Sequence, residues 1–317
     1  MKKTLGIYIS NYNVIGGVER FVENFCKRMS KHYEITFLFD WVENQKMLIE
    51  ISNNANVVKL DHSKIYKFDY FVNSTAWAYS PYENIEAKKV IQVVHADYRH
   101  VISTWNFKYN KHEKTTHHVC VGEIVKEAFE EATPYKCDAV IYNLLDNKIK
   151  LPKKQKNDIL NLVTLSRLSG EKGFKRILQL AQQLEAKKIP YIWNVYGNTS
   201  SNFAKSIVNT FNNVPNVIFK GVTTEPFKEI NKADYLVQLS DTEGFAYSVY
   251  EAMQVKTPCI ITPFASGKEQ ITNGVNGYII PFDMQNIPFE SILKKDLIVP
   301  EFEELGKEED WIKLLES

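Results

Sequence analysis

The sequence predicts an α/β protein in which two doubly wound domains, each with a parallel sheet, face one another across a cleft. Short apolar runs alternate with segments of helical period along the whole chain, from residues 5–9 to residues 278–280. These runs are continuous rather than interrupted by polar residues, which is typical of strands covered on both faces of a parallel sheet. The alternation pauses once, at a lysine-rich stretch over residues 148–158, and then begins again. One domain on each side of a solvated linker is therefore expected.

The individual elements follow this apolar pattern in chain order. In the first half, strands are predicted at residues 5–9, 33–39, 70–72, 90–94, 118–121 and 139–142, with a helix over residues 18–29. In the second half, strands are predicted at residues 160–165, 191–196, 217–220, 235–239, 259–262 and 278–280, with helices at 174–186, 204–211, 226–231 and from about Phe245 onward. The first domain is placed at residues 1–147, the linker at 148–158, the second domain at 159–283 and a helix-prone acidic tail at 284–317. Trp311 and its neighbours in the tail are expected to dock on one of the domains.

The composition excludes several classes of protein. The 39 basic and 38 acidic side chains leave a formal net charge of +1, so no global field attracts nucleic acid. No segment approaches the about 20 apolar residues of a membrane-spanning helix, and the apolar run after Lys3 is too short for an export signal. Cys26, Cys120, Cys137 and Cys259 are scattered without a Cys-x-x-Cys spacing, which indicates reduced thiols and no metal site. A cytoplasmic protein without a nucleic-acid partner is expected.

Two loops of the first half carry residues suited to a ligand, because ligands of open α/β sheets lie beyond the carboxyl ends of the strands. Gly16 and Gly17 lie at a strand-to-helix turn, where they let backbone amides approach a ligand, although the same glycines also suit a tight turn. His95 follows the predicted strand at residues 90–94. It is a candidate hydrogen-bond donor to a sugar or a general base, or else a histidine satisfied within the fold.

The second half holds two cations after its first strand. Arg167 ends that strand and Lys172 opens the following helix, which suits a pyrophosphate, although a solvated pair of loop charges has the same pattern. Gly197 and Asn198 end the next strand, and the glycine there permits close approach of a ligand.

A pair of carboxylates lies further along the chain. Glu243 is in the loop after a strand, Gly244 makes the turn, and Glu251 is expected about two turns into the following helix. Amides of the first helical turn, near Phe245 and Ala246, can bind phosphate oxygens. Carboxylates accept hydrogen bonds from sugar hydroxyls, so this segment suits a ligand with polyol and phosphate parts, such as a sugar nucleotide. The alternative is a capping Glu243 and a solvent-facing Glu251.

The spacing of Glu243 and Glu251 resembles the E-x7-E signature of retaining glycosyltransferase family 4, which has the GT-B fold of two Rossmann-like domains. The residues named above occur in the order of that family. Residues 258–262 and 269–277 also resemble the Pro-Val-Ile and Glu-Ile-Ile-x-x-Gly-x-Asn-Gly runs of its members. The resemblance covers nearly the whole chain.

The resemblance implies a role for each candidate residue. Arg167 and Lys172 would bind the donor diphosphate and stabilise the leaving nucleotide. Glu243 would hold hydroxyls of the transferred sugar, Glu251 would hold the ribose, and His95 would lie near the reactive end of the sugar. The remaining donor-binding positions would be Gly16, Gly17, Gly197, Asn198, Gly244, Phe245 and Ala246.

The implied activity is that of a retaining hexosyltransferase that needs no metal and no cofactor. It would move a sugar from a nucleoside diphosphate sugar, a UDP-sugar, to a glycan or lipid-linked glycan in bacterial-type surface polysaccharide or glycoconjugate synthesis. A sugar-nucleotide epimerase or phosphorylase of GT-B architecture is an alternative, but it should lack this ordered set of residues. A non-catalytic sugar-nucleotide-binding protein is a second alternative. A dehydrogenase is disfavoured because no Gly-x-Gly-x-x-Gly follows the first strand.

One segment of the first half, residues 98–118, mixes aromatic and basic side chains. Trp105, Phe107 and Tyr109 lie among Arg99 and several lysines. Such a mixture suits peripheral contact with anionic lipid on the cytoplasmic face of a membrane, and it equally suits a solvated loop and helix face.

Overall fold

The computed structural model describes residues 2–12, 16–42, 45, 48–75, 81–105, 108–145 and 158–317. The chain divides into two compact units. The first comprises Met1–Asp146 together with Glu304–Ser317, and the second comprises Asn147–Glu303. The linker predicted at residues 148–158 lies outside the described residues, apart from residue 158.

The first unit is built around one parallel sheet. Its strands are β1 (Thr4–Tyr12), β2 (Glu34–Val42), β3 (Asn56–Lys59), β4 (Tyr66–Asn73), β5 (Ile85–Val94), β6 (His117–Cys120) and β7 (Ala139–Val140). Its helices before the second unit are α1 (Gly17–Met29), α2 (Leu48–Ser52), α3 (Tyr98–Trp105) and α4 (Glu123–Ala132). In the described part of the chain, the strand order is β3-β2-β1-β4-β5-β6-β7, and all paired strands run parallel.

The second unit repeats this plan. Its strands are β8 (Leu160–Leu165), β9 (Tyr191–Tyr196), β10 (Val217–Gly221), β11 (Tyr235–Gln238), β12 (Cys259–Ile261) and β13 (Gly277–Ile279). Its helices are α5 (Phe174–Ala186), α6 (Asn202–Asn209), α7 (Pro226–Lys232), α8 (Tyr247–Gln254), α9 (Gly267–Gln270) and α10 (Phe289–Lys294). The strands pair in parallel in the order β10-β9-β8-β11-β12-β13.

Each sheet therefore starts in its middle and is wound outward in both directions. The winding reverses between β1 and β4 in the first unit and between β8 and β11 in the second. This topology confirms the prediction of two doubly wound parallel sheets. It also defines a switch point in each sheet, where the loops after the two central strands diverge and leave room for a ligand.

The amphipathic period of α1 shows why the sequence folds this way in the first unit. Phe21, Val22, Phe25, Cys26 and Met29 recur at helical spacing, and all of them are buried. Burial of each large apolar side chain contributes about 1.5–3 kcal/mol. Most of the residues between them are charged and at least partly exposed, so the same apolar residues that define the helix also orient it on the sheet.

In the second unit, polar groups tie the central strands together. The buried indole of Trp193 in β9 donates to the hydroxyl of Thr164 in β8 at 3.0 Å, and that hydroxyl donates to the carbonyl of Val237 in β11 at 2.8 Å. Because these groups are buried and all paired, they fix the relative register of three neighbouring strands at little net cost.

The last helix, α11 (Glu308–Glu316), belongs to the first unit. Trp311 is fully buried, with its ring 5.0 Å from that of Phe25. The guanidinium of Arg28 in α1 forms ion pairs with Glu304 and Glu308. Burial alone would raise the pKa of Glu308, but hydrogen bonds from Arg28 and His32 outweigh it, and the net pKa lies below the ordinary value.

Two general features of the chain complete the description. The four cysteines are free thiols, of which Cys26, Cys120 and Cys259 are buried. Within the described ranges, no helix combines the length and the apolar character needed to cross a bilayer.

Candidate active site

The centre of the site is an ion pair at the switch point of the second sheet. Lys172 lies after β8 and Glu243 lies after the neighbouring β11. The ammonium of Lys172 is 2.8 Å from both carboxylate oxygens of Glu243. Only 13% of the lysine side chain and 12% of the glutamate side chain are exposed. A charged pair is thus held where ligands of doubly wound sheets bind.

Gly173 brings these two residues together. Its φ of 70° lies in the left-handed region, and a Cβ at this position would lie 1.7 Å from the carbonyl oxygen of Leu239. The chain can therefore pass tightly against the end of β11 only with glycine here. The amide of Asp241 donates to the carbonyl of Glu171 at 2.7 Å, and Arg176 donates to Leu239 at 2.8 Å. These contacts join the loop after β8 to the loop after β11.

Polar neighbours orient the carboxylate of Glu243. The amide nitrogen of Gln238 donates to its Oε1 at 2.9 Å, and the hydroxyl of Ser240 donates to the same oxygen at 2.7 Å. The hydroxyl of Ser266 donates to the backbone carbonyl of Glu243 at 3.3 Å. Gln238 and Ser240 were not among the predicted site residues. The sequence signal for Gln238 is a lone amide in the otherwise apolar run of residues 235–239.

Arg167, the second predicted cation, points its guanidinium at Glu171, at 3.6 Å, and more than half of its side chain is exposed. Burial alone would raise the pKa of Glu171, but the hydrogen bond from Ser169 and the charges of Lys172 and Arg167 outweigh it. The net pKa of Glu171 lies below its ordinary value. Arg167 therefore stands beside an ionised carboxylate, with a head group that solvent and ligands can reach.

The helix expected from Phe245 begins two residues later, at Tyr247. Ala246 is its N-cap with ψ of 92°, so Phe245 and Ala246 belong to the loop. Glu251 is the fifth residue of α8, rather than two turns into it, and it is only 5% exposed. A solvent-facing Glu251 is therefore wrong. A buried carboxylate of this kind is rare unless it has partners.

Gly197 and Asn198 follow β9. A Cβ on Gly197 would lie 2.1 Å from the carbonyl oxygen of Ser166, so glycine here allows the loops after β8 and β9 to pack against each other. The side chain of Asn198 accepts from the amide of Ser200 at 2.9 Å and so caps its own turn. Gly244 is buried in the loop before α8.

In the first unit, Gly16 and Gly17 form the start of α1, while residues 13–15 of the same loop lie outside the described residues. Gly16 is the N-cap with φ of −121°, a value that any residue adopts. No atom of the described residues lies within 4 Å of a Cβ built on Gly17. Neither the backbone conformation of Gly16 nor packing of Gly17 against the described residues requires glycine.

His95 follows β5 at the carboxyl edge of the first sheet. Its ring lies 4.8 Å from that of Phe21 in α1. Its Nε2 is buried and has no hydrogen-bond partner in the described part of the chain. Burial lowers the pKa of His95 to about 3, so the imidazole is neutral at neutral pH. A neutral ring nitrogen without a partner can donate to, or accept from, a ligand hydroxyl.

Part of the aromatic and basic segment at residues 98–118 is internal. Tyr98 and Tyr109 are buried, their rings 5.7 Å apart, and both pack against Phe129. Counting Tyr109 among lipid-facing aromatics is therefore wrong. Phe107 and the side chain of Trp105 lie outside the described residues.

Comparisons with known proteins agree with this architecture. Residues 146–289, which cover most of the second unit, match the family model of glycosyl transferases group 1. This match supports glycosyltransferase activity for the chain. A sequence search of curated proteins gives no match.

Solved structures extend the agreement to 92% of the chain. HepE of Anabaena in complex with UDP-glucose is 15% identical, with a TM-score of 0.69 and coverage of 92% of both chains. A glycosyltransferase from Rickettsia africae is 14% identical, with a TM-score of 0.70 over 92% of this chain and 88% of its own. WaaG, a glycosyltransferase involved in lipopolysaccharide biosynthesis, is 11% identical, with a TM-score of 0.66 over 92% and 88%. At such identities the likeness concerns the fold alone, and the two-domain α/β GT-B fold is confirmed.

Proposed function

We propose that this protein is a retaining glycosyltransferase that moves a sugar from a nucleoside diphosphate sugar, with UDP as the nucleotide, to a glycan or lipid-linked glycan. The observation that carries the proposal is the Lys172–Glu243 ion pair at the switch point of the second sheet. This pair lies within the stretch that matches group 1 glycosyltransferases. It sets a cation suited to phosphate beside an anion suited to hydroxyls, and a sugar nucleotide needs both.

Each chemical group of the proposed donor can be assigned to one or two of the described residues. Lys172 attracts the diphosphate, and Arg167 joins it because its guanidinium is exposed enough to turn from Glu171. The start of α8 contributes the partial positive charge of a helix N-terminus. Glu243 accepts from a hydroxyl of the transferred sugar, and Glu251 in α8 accepts from the ribose. The Anabaena protein of the same fold was solved with UDP-glucose, and this favours UDP.

The reaction follows from the same charges. The bond from the anomeric carbon to the diphosphate breaks, and Lys172 and Arg167 stabilise the negative charge that develops on the leaving oxygen. The acceptor hydroxyl attacks the anomeric carbon from the face that the diphosphate leaves, so the configuration is retained. Its proton passes to the departing diphosphate oxygen, and no protein nucleophile is required. Because protein cations neutralise the diphosphate in this scheme, we expect transfer to survive chelation by EDTA.

The first unit supplies the acceptor side. Among the described residues, no atom lies within 4 Å of a Cβ built on Gly17, and the neutral His95 has a buried nitrogen without a partner. These features suit hydroxyl groups better than charged groups. We propose that His95 hydrogen-bonds a hydroxyl of the substrate that the first unit binds. If the acceptor is lipid-linked, we expect the protein to bind anionic liposomes. If the protein does not bind them, the proposed acceptor is a soluble glycan.

A thermal-shift panel of UDP-, GDP-, ADP- and TDP-sugars tests the proposal. A ligand that binds the native state raises the melting temperature, by an amount that grows with concentration relative to Kd. UDP-sugars are expected to raise it most, and the shift should vanish in Lys172→Met. Asn202, on the first turn of α6, offers a matched surface control as Asn202→Ala. If no nucleotide sugar shifts the wild type, the donor assignment is wrong.

A further inference from the structure

We infer that Gln238 is a positioning residue that occupies one oxygen of Glu243 and leaves the other, Oε2, to accept from a single hydroxyl of the donor sugar. The inference rests on the proposed function, because it takes Glu243 to be the sugar-binding carboxylate. Gln238 is the last residue of β11, and it is only 3% exposed. It touches the proposed donor only through Glu243.

The contacts of Gln238 fix which way its amide points. The Nε2 group donates to Glu243 Oε1 at 2.9 Å and to the hydroxyl of Ser240 at 2.7 Å. The amide oxygen accepts from the hydroxyl of Ser248, in the first turn of α8, at 3.4 Å. A carboxylate can only accept hydrogen bonds, so the nitrogen must face Glu243 and the oxygen must face Ser248. Gln238 thereby joins the sugar-binding carboxylate to the helix start assigned to the phosphates.

The two carboxylate oxygens of Glu243 accept different numbers of hydrogen bonds. Oε1 accepts from Lys172 at 2.8 Å, from Gln238 at 2.9 Å and from Ser240 at 2.7 Å. In the part of the chain that the structure describes, Oε2 accepts only from Lys172, at 2.8 Å. A carboxylate oxygen has two lone pairs, so the three donors on Oε1 already exceed its two lone pairs, whereas Oε2, with one donor, has room for one more. One sugar hydroxyl therefore binds Glu243, rather than an adjacent pair shared between both oxygens.

Burial of an amide at this position has no packing advantage over an apolar side chain. A buried polar group is tolerated because it is hydrogen-bonded, and Gln238 uses its nitrogen and its oxygen. The neighbouring residues of β11, Tyr235, Leu236 and Val237, are all fully buried and show that this strand accepts bulky side chains. A methionine at position 238 would keep the length and volume of the side chain while removing the donor to Glu243.

The test compares Gln238→Met with the wild type for two ligands: UDP, and the UDP-sugar that stabilises the wild type most. The affinity for the UDP-sugar is expected to fall about tenfold, which corresponds to the loss of a hydrogen bond to a charged group. The affinity for UDP should stay within about twofold, because UDP lacks the transferred sugar that would contact Glu243. Gln183→Met removes a glutamine whose amide donates to Met284, elsewhere in the second unit, and should change neither affinity.

A second variant keeps the inference testable if the first fails to fold. Gln238→Glu preserves the shape but sets a second carboxylate against Glu243 Oε1. The affinity for the UDP-sugar should be weakened at about pH 8 and should recover toward about pH 5, where one proton shared by the pair restores a donor. A purely structural role gives no such recovery.

The outcomes separate the two proposals. Equal weakening of UDP and UDP-sugar in Gln238→Met, or no weakening of either, overturns the role of Gln238 and leaves the proposed function standing. A wild type that binds UDP but no UDP-sugar overturns the role of Glu243 as the sugar ligand. A wild type that binds neither overturns the donor site itself.

Discussion

Replacing Gly173 by alanine tests how the fold holds Lys172 beside Glu243. The backbone at this position has φ of 70°, and the added methyl carbon would lie 1.7 Å from the carbonyl oxygen of Leu239 and 2.6 Å from its carbon. Both atoms belong to the backbone at the end of β11, so no side-chain rotation relieves the contact. The loop that carries Lys172 must move away from β11 and thus from Glu243.

Two costs add up in this variant. A residue with a Cβ in the left-handed region costs about 1–2 kcal/mol relative to glycine. Forcing an extra methyl group into a packed site costs about 1–3 kcal/mol more. Gly173→Ala should therefore destabilise the second unit by about 2–5 kcal/mol.

Gly221 provides a matched control for the first cost alone. It has φ of 75° in the same unit, and no atom in the described part of the chain lies within 4 Å of a Cβ built on it. Gly221→Ala should therefore cost only the conformational part, about 1–2 kcal/mol. The difference between the two variants isolates the steric contact with Leu239. It amounts to about 1–3 kcal/mol, or about 2–12 °C in melting temperature for a unit of this size.

The assay is thermal unfolding of the wild type and both variants in one buffer, followed by titration with UDP. Gly173→Ala should melt below Gly221→Ala and bind UDP more weakly, whereas Gly221→Ala should bind UDP like the wild type. Equal melting temperatures, or normal UDP binding by Gly173→Ala, would refute the argument that this glycine positions Lys172.

Three further predictions concern the rest of the molecule. Burial lowers the pKa of His95 from 6.5 to about 3, so its contribution to stability is complete above about pH 6.5 and is lost as pH falls toward 3. His95→Gln should lose less stability than the wild type between about pH 7 and about pH 4, as measured by urea unfolding. Trp311→Ala should destabilise the first unit by about 3–5 kcal/mol because the side chain is fully buried, and the half-buried Leu314→Ala should cost less. Lys172→Ala and Glu243→Ala should each abolish sugar transfer in a product assay while the far-ultraviolet circular dichroism stays that of the wild type.

Each of the three has a contrary result. Parallel loss of stability in His95→Gln and the wild type would show that another group titrates. Equal costs for Trp311→Ala and Leu314→Ala would mean that α11 does not dock through the tryptophan. Near-normal sugar transfer by both Lys172→Ala and Glu243→Ala would contradict the assignment of these residues to the active site.

The strands of the second unit were the most predictable part of the fold. The bounds predicted for β8, β9 and α5 match the structure residue for residue. In each of them the spacing of apolar residues stays the same from the first residue to the last, and polar residues flank the element. The edge strand β3 was missed, because its four residues are half-exposed or exposed and carry no buried run. The helix α4 was also missed, although Val125, Ala128 and Phe129 have helical spacing.

The site was predictable in its parts and not in its contacts. The sequence predicts Lys172 near the diphosphate and Glu243 near the sugar, but their ion pair depends on the close approach at Gly173, which only the three-dimensional path of the chain reveals. The start of α8 was misplaced because Ala246 offers no capping side chain to mark it. Gln238 was missed because an amide at a strand end has meaning only once Glu243 is known to face it.

Composition misled the prediction in one place. The composition groups Tyr109 with the aromatic and basic residues of an interface, yet its hydroxyl is 2.9 Å from Nε2 of the buried His118. A residue count over a segment cannot distinguish an aromatic ring that faces lipid from one that fills a core. Lipid contact by the first unit therefore stays a prediction, to be measured with anionic liposomes.

The most direct test of the central claim is a structure of the protein with UDP bound. We predict a diphosphate oxygen within hydrogen-bond distance of Lys172 Nζ, near the start of α8, and ribose hydroxyls at Glu251. Glu243 Oε2 should face the space that a sugar would occupy. UDP bound elsewhere, with Lys172 still 2.8 Å from both oxygens of Glu243, would contradict the account.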